Sequence, residues 1–459
     1  MENTLRVKLG AYALISFVSF TYLILPEKAG VSVPIFVLLQ IFCLYPIVPD
    51  KRRLWFFAPL MILALNAFIS DNGIWRGLNL LVGVVIYGAM FCPVNLRDAS
   101  PAFLFDLTGR VFRPFRHFFL PLRWFGETKA SYAKTVERVL LGLVGALAVL
   151  FVLVLLLSAA DSVFENGVNN LFRSLFGIIN ITVFSKICFG LGVGLYLFGV
   201  VYGAFVPENE ASSPEGKGKG DLIIINIILG AALAVYLVFV LIQFRYLFAG
   251  ATLPYGLEYY EYARRGFFEL LYLTGVNVIM ILVAVHYTRD ITNLGSGVTK
   301  WFNLCLNAAT VVLLTSSFYR MWLYSADSGL TRLRFIVFLF LLFEGVGLII
   351  TFYYIAKPRF NIMVVYTLIA LCYYLLMNIV PMDYYVAKNQ VERYLQEQGD
   401  GIEYVCTLSA DAASQIKLLR GTGAGWQAEA YFAGLERKRN QTAPGWQRYN
   451  LSTDVWNQR

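Results

Sequence analysis

Histidine occurs twice in the 459 residues, as His117 and His286. Two such side chains on separate stretches cannot build a histidine-rich metal site. Of six cysteines, Cys43, Cys92, Cys188, Cys305 and Cys372 lie in or at the ends of apolar runs, and Cys406 stands alone in the polar C-terminal part. No Cys-x-x-Cys pair occurs, so neither a disulfide framework nor a zinc site is indicated. Charge is also scarce. Asp, Glu, Lys and Arg make up 15% of the chain, against about 25% in soluble domains. A phosphate loop is missing as well: the Gly-Lys pairs within Glu208–Asp221 do not fit GxxxxGK[ST], and no strand precedes them. That stretch reads as a flexible polar linker. No cofactor and no metal are expected.

What is abundant is apolar surface. Hydrophobic residues make up 58% and aromatics 16%, with a mean hydropathy of +0.63, so the chain reads as an all-α polytopic helical membrane bundle. Runs near the length needed to cross hydrocarbon, about 20 residues, cover 5–25, 31–48, 54–70, 74–92, 135–158, 178–206, 222–248, 266–288, 300–319, 333–356 and 360–380. About eleven spans follow. The 54–70 and 74–92 pair is the least secure, because Asp71, Asn72 and Gly73 leave little room to turn. The first run has a basic lead-in, Arg6 and Lys8, but no small-residue cleavage site before Pro26, which reads as an uncleaved helix.

The net charge of +9 is a topology signal, because the basic residues sit in short loops and belong to no soluble face that could bind nucleic acid. Lys51, Arg52 and Arg53 follow the second run. Arg97, Arg110, Arg113, Arg116, Arg123, Lys129 and Lys134 follow the fourth. Both loops fall on the side that also holds the N-terminus, so that side is expected to be cytoplasmic. Alternation then makes the C-terminal tail extracytoplasmic.

The chain divides into a four-span segment (1–95), a cationic interfacial or cytoplasmic segment (96–134), a seven-span core (135–382) and a polar tail (383–459). Within Pro101–Phe125, Leu104, Leu107, Val111, Phe115, Phe118 and Leu122 recur at helical spacing, opposite Asp106, Arg110, Arg113 and His117. This is a cationic amphipathic helix bent at Pro114, either lying on the leaflet or packed on the bundle. Asp161–Phe176 carries a similar stripe. In the tail, Tyr384–Glu397 and Leu408–Leu419 read as short helices, the second with Ser409 as N-cap. Trp426, Trp446, Tyr449 and Trp456 read as residues that dock the tail on the bundle or headgroups.

Two charged stretches stand out. Glu258, Glu261, Arg264, Arg265 and Glu269 lie at the mouth of an apolar run, with Glu261, Arg265 and Glu269 on one helical ridge. On the same expected side lie Arg320, Tyr324, Asp327, Arg332 and Arg334. Ser328-Gly329 makes the turn between them, and Thr331 caps the next helix. Together they are expected to form a polar pocket at the outer mouth, as a ligand site or as ion pairs that fix helix ends. Glu344 lies about ten residues into an apolar span, so about 15 Å deep, where a carboxylate is protonated or paired. Asn277, Asn303, Asn307 and Asn378 are candidate partners. Gly190, Gly194, Gly199 and Gly203 give small-xxx-small spacings that read as a close helix contact.

The runs Tyr262-Ala-Arg-Arg-Gly-Phe-Phe-Glu-Leu270, Tyr319-Arg-Met-Trp-Leu-Tyr324, Gly329-Leu-Thr-Arg-Leu-Arg334 and Leu408-Ser-Ala-Asp-Ala412 resemble one group of bacterial multi-span proteins. So do Ser158-Ala-Ala-Asp-Ser-Val-Phe164 and Trp446-Gln-Arg-Tyr-Asn-Leu-Ser452. The group is known as domains of unknown function 4153 and 4173, and the resemblance covers roughly Lys134 to the C-terminus. It implies a helical protein of the bacterial cytoplasmic membrane and carries no reaction. Three functions fit the residues. The first is a non-enzymatic sensing, binding or accessory protein in contact with the lipid bilayer and a membrane or envelope partner. The others are a transporter using Glu344 and a transferase acting on lipid or envelope carbohydrate with Glu258, Glu261 or Asp327 as base.

Overall fold

The structure, a computed structural model, describes residues 3–25, 30–90, 111–121, 124, 181–203, 205, 222–243, 267–288, 294–358, 360–396, 401–440 and 445–455. Among the described residues, every regular element is helical. Ten of the eleven apolar runs lie on helices: α1 (Asn3–Leu23), α2 (Ser32–Leu44), α3 (Phe57–Ile69), α4 (Gly73–Ala89), α5 (Ile181–Gly203), α6 (Leu222–Gln243), α7 (Phe267–Thr288), α8 (Leu294–Ser328), α9 (Arg332–Ala356) and α10 (Ile362–Ile379). The remaining run, 135–158, lies outside the described residues, as do Asp161–Phe176 and the linker at 208–221. Lipid offers no hydrogen bonds, so an apolar run of this length closes its backbone as a helix.

Six of these segments are long and apolar enough to cross a membrane: Lys51–Ile69, Ser185–Gly203, Leu270–Thr288, Ser296–Ser328, Arg332–Ala356 and Ile362–Ile379. Shorter apolar helices, Ser32–Leu44, Gly73–Ala89 and Leu222–Val238, accompany them. Large apolar side chains point away from the bundle; Phe42 is 78% exposed and Ile349 70%. A water-soluble surface would not carry so many, so this is a multi-pass membrane protein whose outward faces meet lipid.

The α3–α4 pair turns within three residues, as short a turn as its sequence suggested, and both helices form. The Asn72 side chain makes this possible, accepting from the Ile74 N–H at 3.1 Å to cap α4. α1 packs along α5, α3 along α4 and α10, and α8 along α6, α7 and α9. The small-residue stripe on α5 explains the first contact. A Cβ at Gly194 would lie 2.9 Å from the Phe17 backbone, and one at Gly190 would strike the Thr21 hydroxyl. Gly199 faces Pro114 rather than α1, and Gly203 faces open space.

The described part of the cationic segment, 111–121 and 124, is built around a 3₁₀ turn, Arg113–His117, on the C-terminal half of α5. Pro114 is buried there, Tyr196 donates to the Val111 carbonyl at 3.1 Å, and His117 packs against Tyr202 with ring centroids 5.0 Å apart. At the same end, Arg6 of α1 lies over the Trp124 ring.

The tail is more of a folded unit than its polarity suggested. It comprises α11 (Met382–Leu395), α12 (Ile402–Val405), α13 (Ala413–Ile416), α14 (Gly425–Asn440) and α15 (Leu451–Val455). Val386, Ala387, Val391, Val405, Ala412, Ile416, Leu419 and Ala428 are fully buried in one apolar cluster, which also takes in Trp75 and Met377 from the bundle. The expected helix Leu408–Leu419 is broken into two 3₁₀ turns around α13, and the sequence reading missed α14.

Candidate functional site

The tail seats on one end of the bundle, where three short connections meet it. Gly30 and Val31, between α1 and α2, donate backbone N–H bonds to the carbonyls of Gln447 (2.7 Å) and Tyr449 (3.0 Å). In the α3–α4 turn, Ser70 donates its hydroxyl, and Asp71 its backbone N–H, to the Asp411 carboxylate. Asn450 closes the end of α3, its amide donating 2.9 Å bonds to the carbonyls of both Ala67 and Ser70. In the α8–α9 turn, Gln390 donates to the Leu330 carbonyl and Asn389 accepts from the Leu330 N–H, each at 2.8 Å. Gly329 holds φ +72° there and faces the Gln390 amide.

At the centre lies Asp383, on the first turn of α11, with its side chain 1% exposed. Arg332, the first residue of α9, donates to it side-on, from Nε to Oδ1 at 2.6 Å and from Nη2 to Oδ2. Ser409 adds its backbone N–H at 2.9 Å and its hydroxyl. Tyr431 then donates to the Ser409 carbonyl at 2.6 Å, and Tyr404 accepts from the Arg332 N–H at 2.9 Å. Burial alone would raise the Asp383 pKa. The Arg332 and Ser409 hydrogen bonds outweigh it and hold the carboxyl below its ordinary range. Asp411 behaves oppositely: burial pushes it up, beyond what its hydrogen bonds recover.

The residues expected at the outer pocket divide accordingly. Arg332 is in this hub, paired with a tail carboxylate that the sequence did not mark. Arg334 turns back on its own connection, donating to the Gly329 carbonyl and stacking 3.7 Å above the Tyr324 ring. Thr331 caps α9 as expected, accepting from the Arg334 N–H. Arg320 is buried on α8, which runs well past the expected end of its span. Asp327 is exposed beside Ser328, and Arg393 of α11 binds the Asp327 backbone carbonyl. Glu258, Glu261, Arg264 and Arg265 lie outside the described residues; Glu269 is on α7, its side chain likewise outside them. Ser409 is not a side-chain cap, because its hydroxyl is spent on Asp383.

Glu344 is at the middle of α9. Its partner is Thr274 of α7, whose hydroxyl meets Oε1, and not one of the four asparagines. Three of those bind elsewhere: Asn277 to Thr310, Asn307 to the Leu348 carbonyl, Asn378 to the Tyr374 carbonyl. Asn303 has no hydrogen bond on its side-chain oxygen among the described residues.

A family model described as Domain of unknown function (DUF4153) matches residues 57–419. The chain belongs to this family. The match begins at the first residue of α3 and ends inside the tail, so it starts well before the Lys134 boundary drawn from the motifs. It therefore includes both Arg332 and Asp383, and both Ser70 and Asp411. The family description assigns no reaction. No curated protein and no solved structure matches the chain. Among the described residues, no three His, Cys, Asp or Glu side chains gather as metal ligands.

Proposed function

We propose that this DUF4153 protein is a non-enzymatic sensing, binding or accessory protein of the bacterial cytoplasmic membrane. In this reading about eleven spans cross the bilayer, the N-terminus is cytoplasmic, and the docked tail is the extracytoplasmic working surface. The observation that carries it is the Arg332–Asp383–Ser409 hub. Among the described residues, the buried charge pair of that face is spent on holding the tail to the bundle and is not open to a substrate.

Topology supports the same reading. The connections that touch the tail, at Gly30, Ser70–Asp71 and Ser328–Leu330, are those that alternation from Lys51–Arg53 places outside. The seated tail presents Trp426, 70% exposed, and Leu418, 56% exposed, the kind of apolar groups that recognise a protein partner. Arg264 and Arg265, with Glu258, Glu261 and Glu269, are assigned to the same rim.

The test is site-specific photo-crosslinking from positions 426 and 418 in intact cells, in wild type and Asp383→Ala. Discrete crosslinked species that vanish with Asp383→Ala support the reading. Identical crosslinks in both proteins, or none in wild type, overturn it.

A further inference from the structure

We propose that the polar seam enclosed by α7, α8 and α9 binds one monovalent cation, a sodium ion or a proton, at Glu344. The site is separate from the docked tail, and this inference does not rest on the function proposed for that face.

The seam is a chain of side-chain contacts that crosses all three helices. Thr274 meets Glu344; one turn along α7, Asn277 donates to Thr310 of α8 at 3.0 Å. One turn along α8, Asn307 donates to the Leu348 carbonyl of α9 at 3.1 Å, and Leu348 is one turn from Glu344. Asn303 precedes Asn307 by a further turn. Each turn is about 5.4 Å, so Asn277 lies nearest Glu344 along the seam, with Asn307 about one turn and Asn303 about two turns away. Asn277, Asn303 and Asn307 are 0%, 1% and 2% exposed.

Four oxygens along this seam are buried and have no hydrogen-bond partner among the described residues: Oδ1 of Asn277, Asn303 and Asn307, and Oε2 of Glu344. Two of the amides cannot be turned to remove the imbalance. The partner of Asn307 is a carbonyl, which only accepts, so the amide nitrogen must face it. Thr310 spends its proton on the Leu306 carbonyl at 2.7 Å, so toward Asn277 it too can only accept. The unpartnered atoms are all acceptors, although the Tyr236 hydroxyl of α6 also hydrogen-bonds the Asn277 side chain. A buried cluster of acceptors calls for a donor or a positive charge.

Thr274 sharpens the point. Its single hydroxyl proton faces two acceptors, the Leu271 carbonyl at 2.7 Å and Glu344 Oε1. If the proton goes to Leu271, Glu344 must carry one of its own to bond Thr274. Tyr366 of α10 is the titratable neighbour of Glu344 among the described residues, and its hydroxyl is tied to Thr351 and the Gly347 carbonyl. No described arginine or lysine neutralises the carboxylate. One carboxylate in a low-dielectric layer is balanced by one positive charge, whereas a divalent ion would leave a net charge there. Carboxylate and carboxamide oxygens are hard ligands, suited to an alkali cation and not to soft metals.

The experiment uses the full chain in lipid nanodiscs. Equilibrium binding of radioactive sodium is measured across the carboxylate titration range. In parallel, infrared difference spectra follow the carbonyl stretch of a protonated carboxylic acid. If sodium is the ligand, wild type shows saturable uptake that protons compete away; Glu344→Gln lowers the affinity by about tenfold or more. Asn307→Leu lowers sodium affinity too but leaves the carboxylic band. If a proton is the ligand, sodium uptake is absent, and wild type shows a carboxylic band at neutral pH that Glu344→Gln abolishes. Wild type with neither saturable sodium nor that band overturns the proposal, and this result requires no variant to fold.

Discussion

Asp383 and Arg332 meet side-on where the tail begins and the ninth helix begins, with the carboxylate almost completely buried and the guanidinium mostly so. A pair in this geometry is costly to break from one side, because the surviving charge stays buried. Asp383→Asn is expected to destabilise the docked tail by about 3 kcal/mol. Tail-specific proteolysis and thermal unfolding of the full chain check this. A tail as resistant as wild type would deny the hub its role.

The two buried aspartates predict opposite responses to pH. Asp383 has a lowered folded pKa, so its contribution is present above the ordinary carboxylate range and is lost as pH falls through the folded value. Asp411 has a raised pKa, so it favours the docked state when protonated; that contribution fades as pH rises from the ordinary range through the folded value. Asp411→Asn keeps an acceptor for the α3–α4 turn and removes the buried charge, so at neutral pH it should change stability by no more than about 1 kcal/mol. Measuring both variants across the acid range separates the two groups.

Gly329 adopts a left-handed conformation against the Gln390 amide. Gly329→Ala adds backbone strain and a clash with a side chain that holds the connection. A loss of about 1–3 kcal/mol is expected, read as a lower melting temperature; Gly434→Ala, in open space within α14, should hold or raise it.

On α5, Gly194 lets the α1 backbone approach at Phe17. Gly194→Val should force the two helices apart at about 1–3 kcal/mol. Gly192→Val points into open space and is the matched control. Cysteine crosslinking between α1 and α5 reports the separation directly.

Orientation is open to a direct check in a cysteine-free background. Cysteines at Asp327 and Trp426 should label from outside the cell with an impermeant reagent. Cysteines at Arg52 and Lys357 should label only after permeabilisation. The reverse pattern would invert the proposed topology.

Much of the fold was legible because lipid imposes a single rule on the backbone. Ten apolar runs became helices, and Gly194 could be read as a close contact from spacing alone. The tail was harder to read. Most of its core comes from short turns, and the one longer helix, α14, carries its period on few residues, Ala428, Tyr431, Phe432 and Leu435, between a glycine-rich lead-in and a basic end. The pairing of Arg332 was hidden for a different reason. Asp383 is just one carboxylate at the start of a polar stretch, and only the fold shows that the tail returns to the α8–α9 turn. Glu344 was visible as a lone charge, but its threonine partner was not, because threonine is common in apolar helices and carries no signal of its own.

Gly30 and Val31 donate their backbone N–H groups to carbonyls more than four hundred positions later in the chain. During synthesis the first two helices must therefore be inserted long before the residues that complete their connection exist. Residues 447–450 have to emerge before this face can close. A chain stopped short of Gln447 would leave the Gly30 connection and the end of α3 without their partners, a lesion that a membrane quality-control protease could recognise.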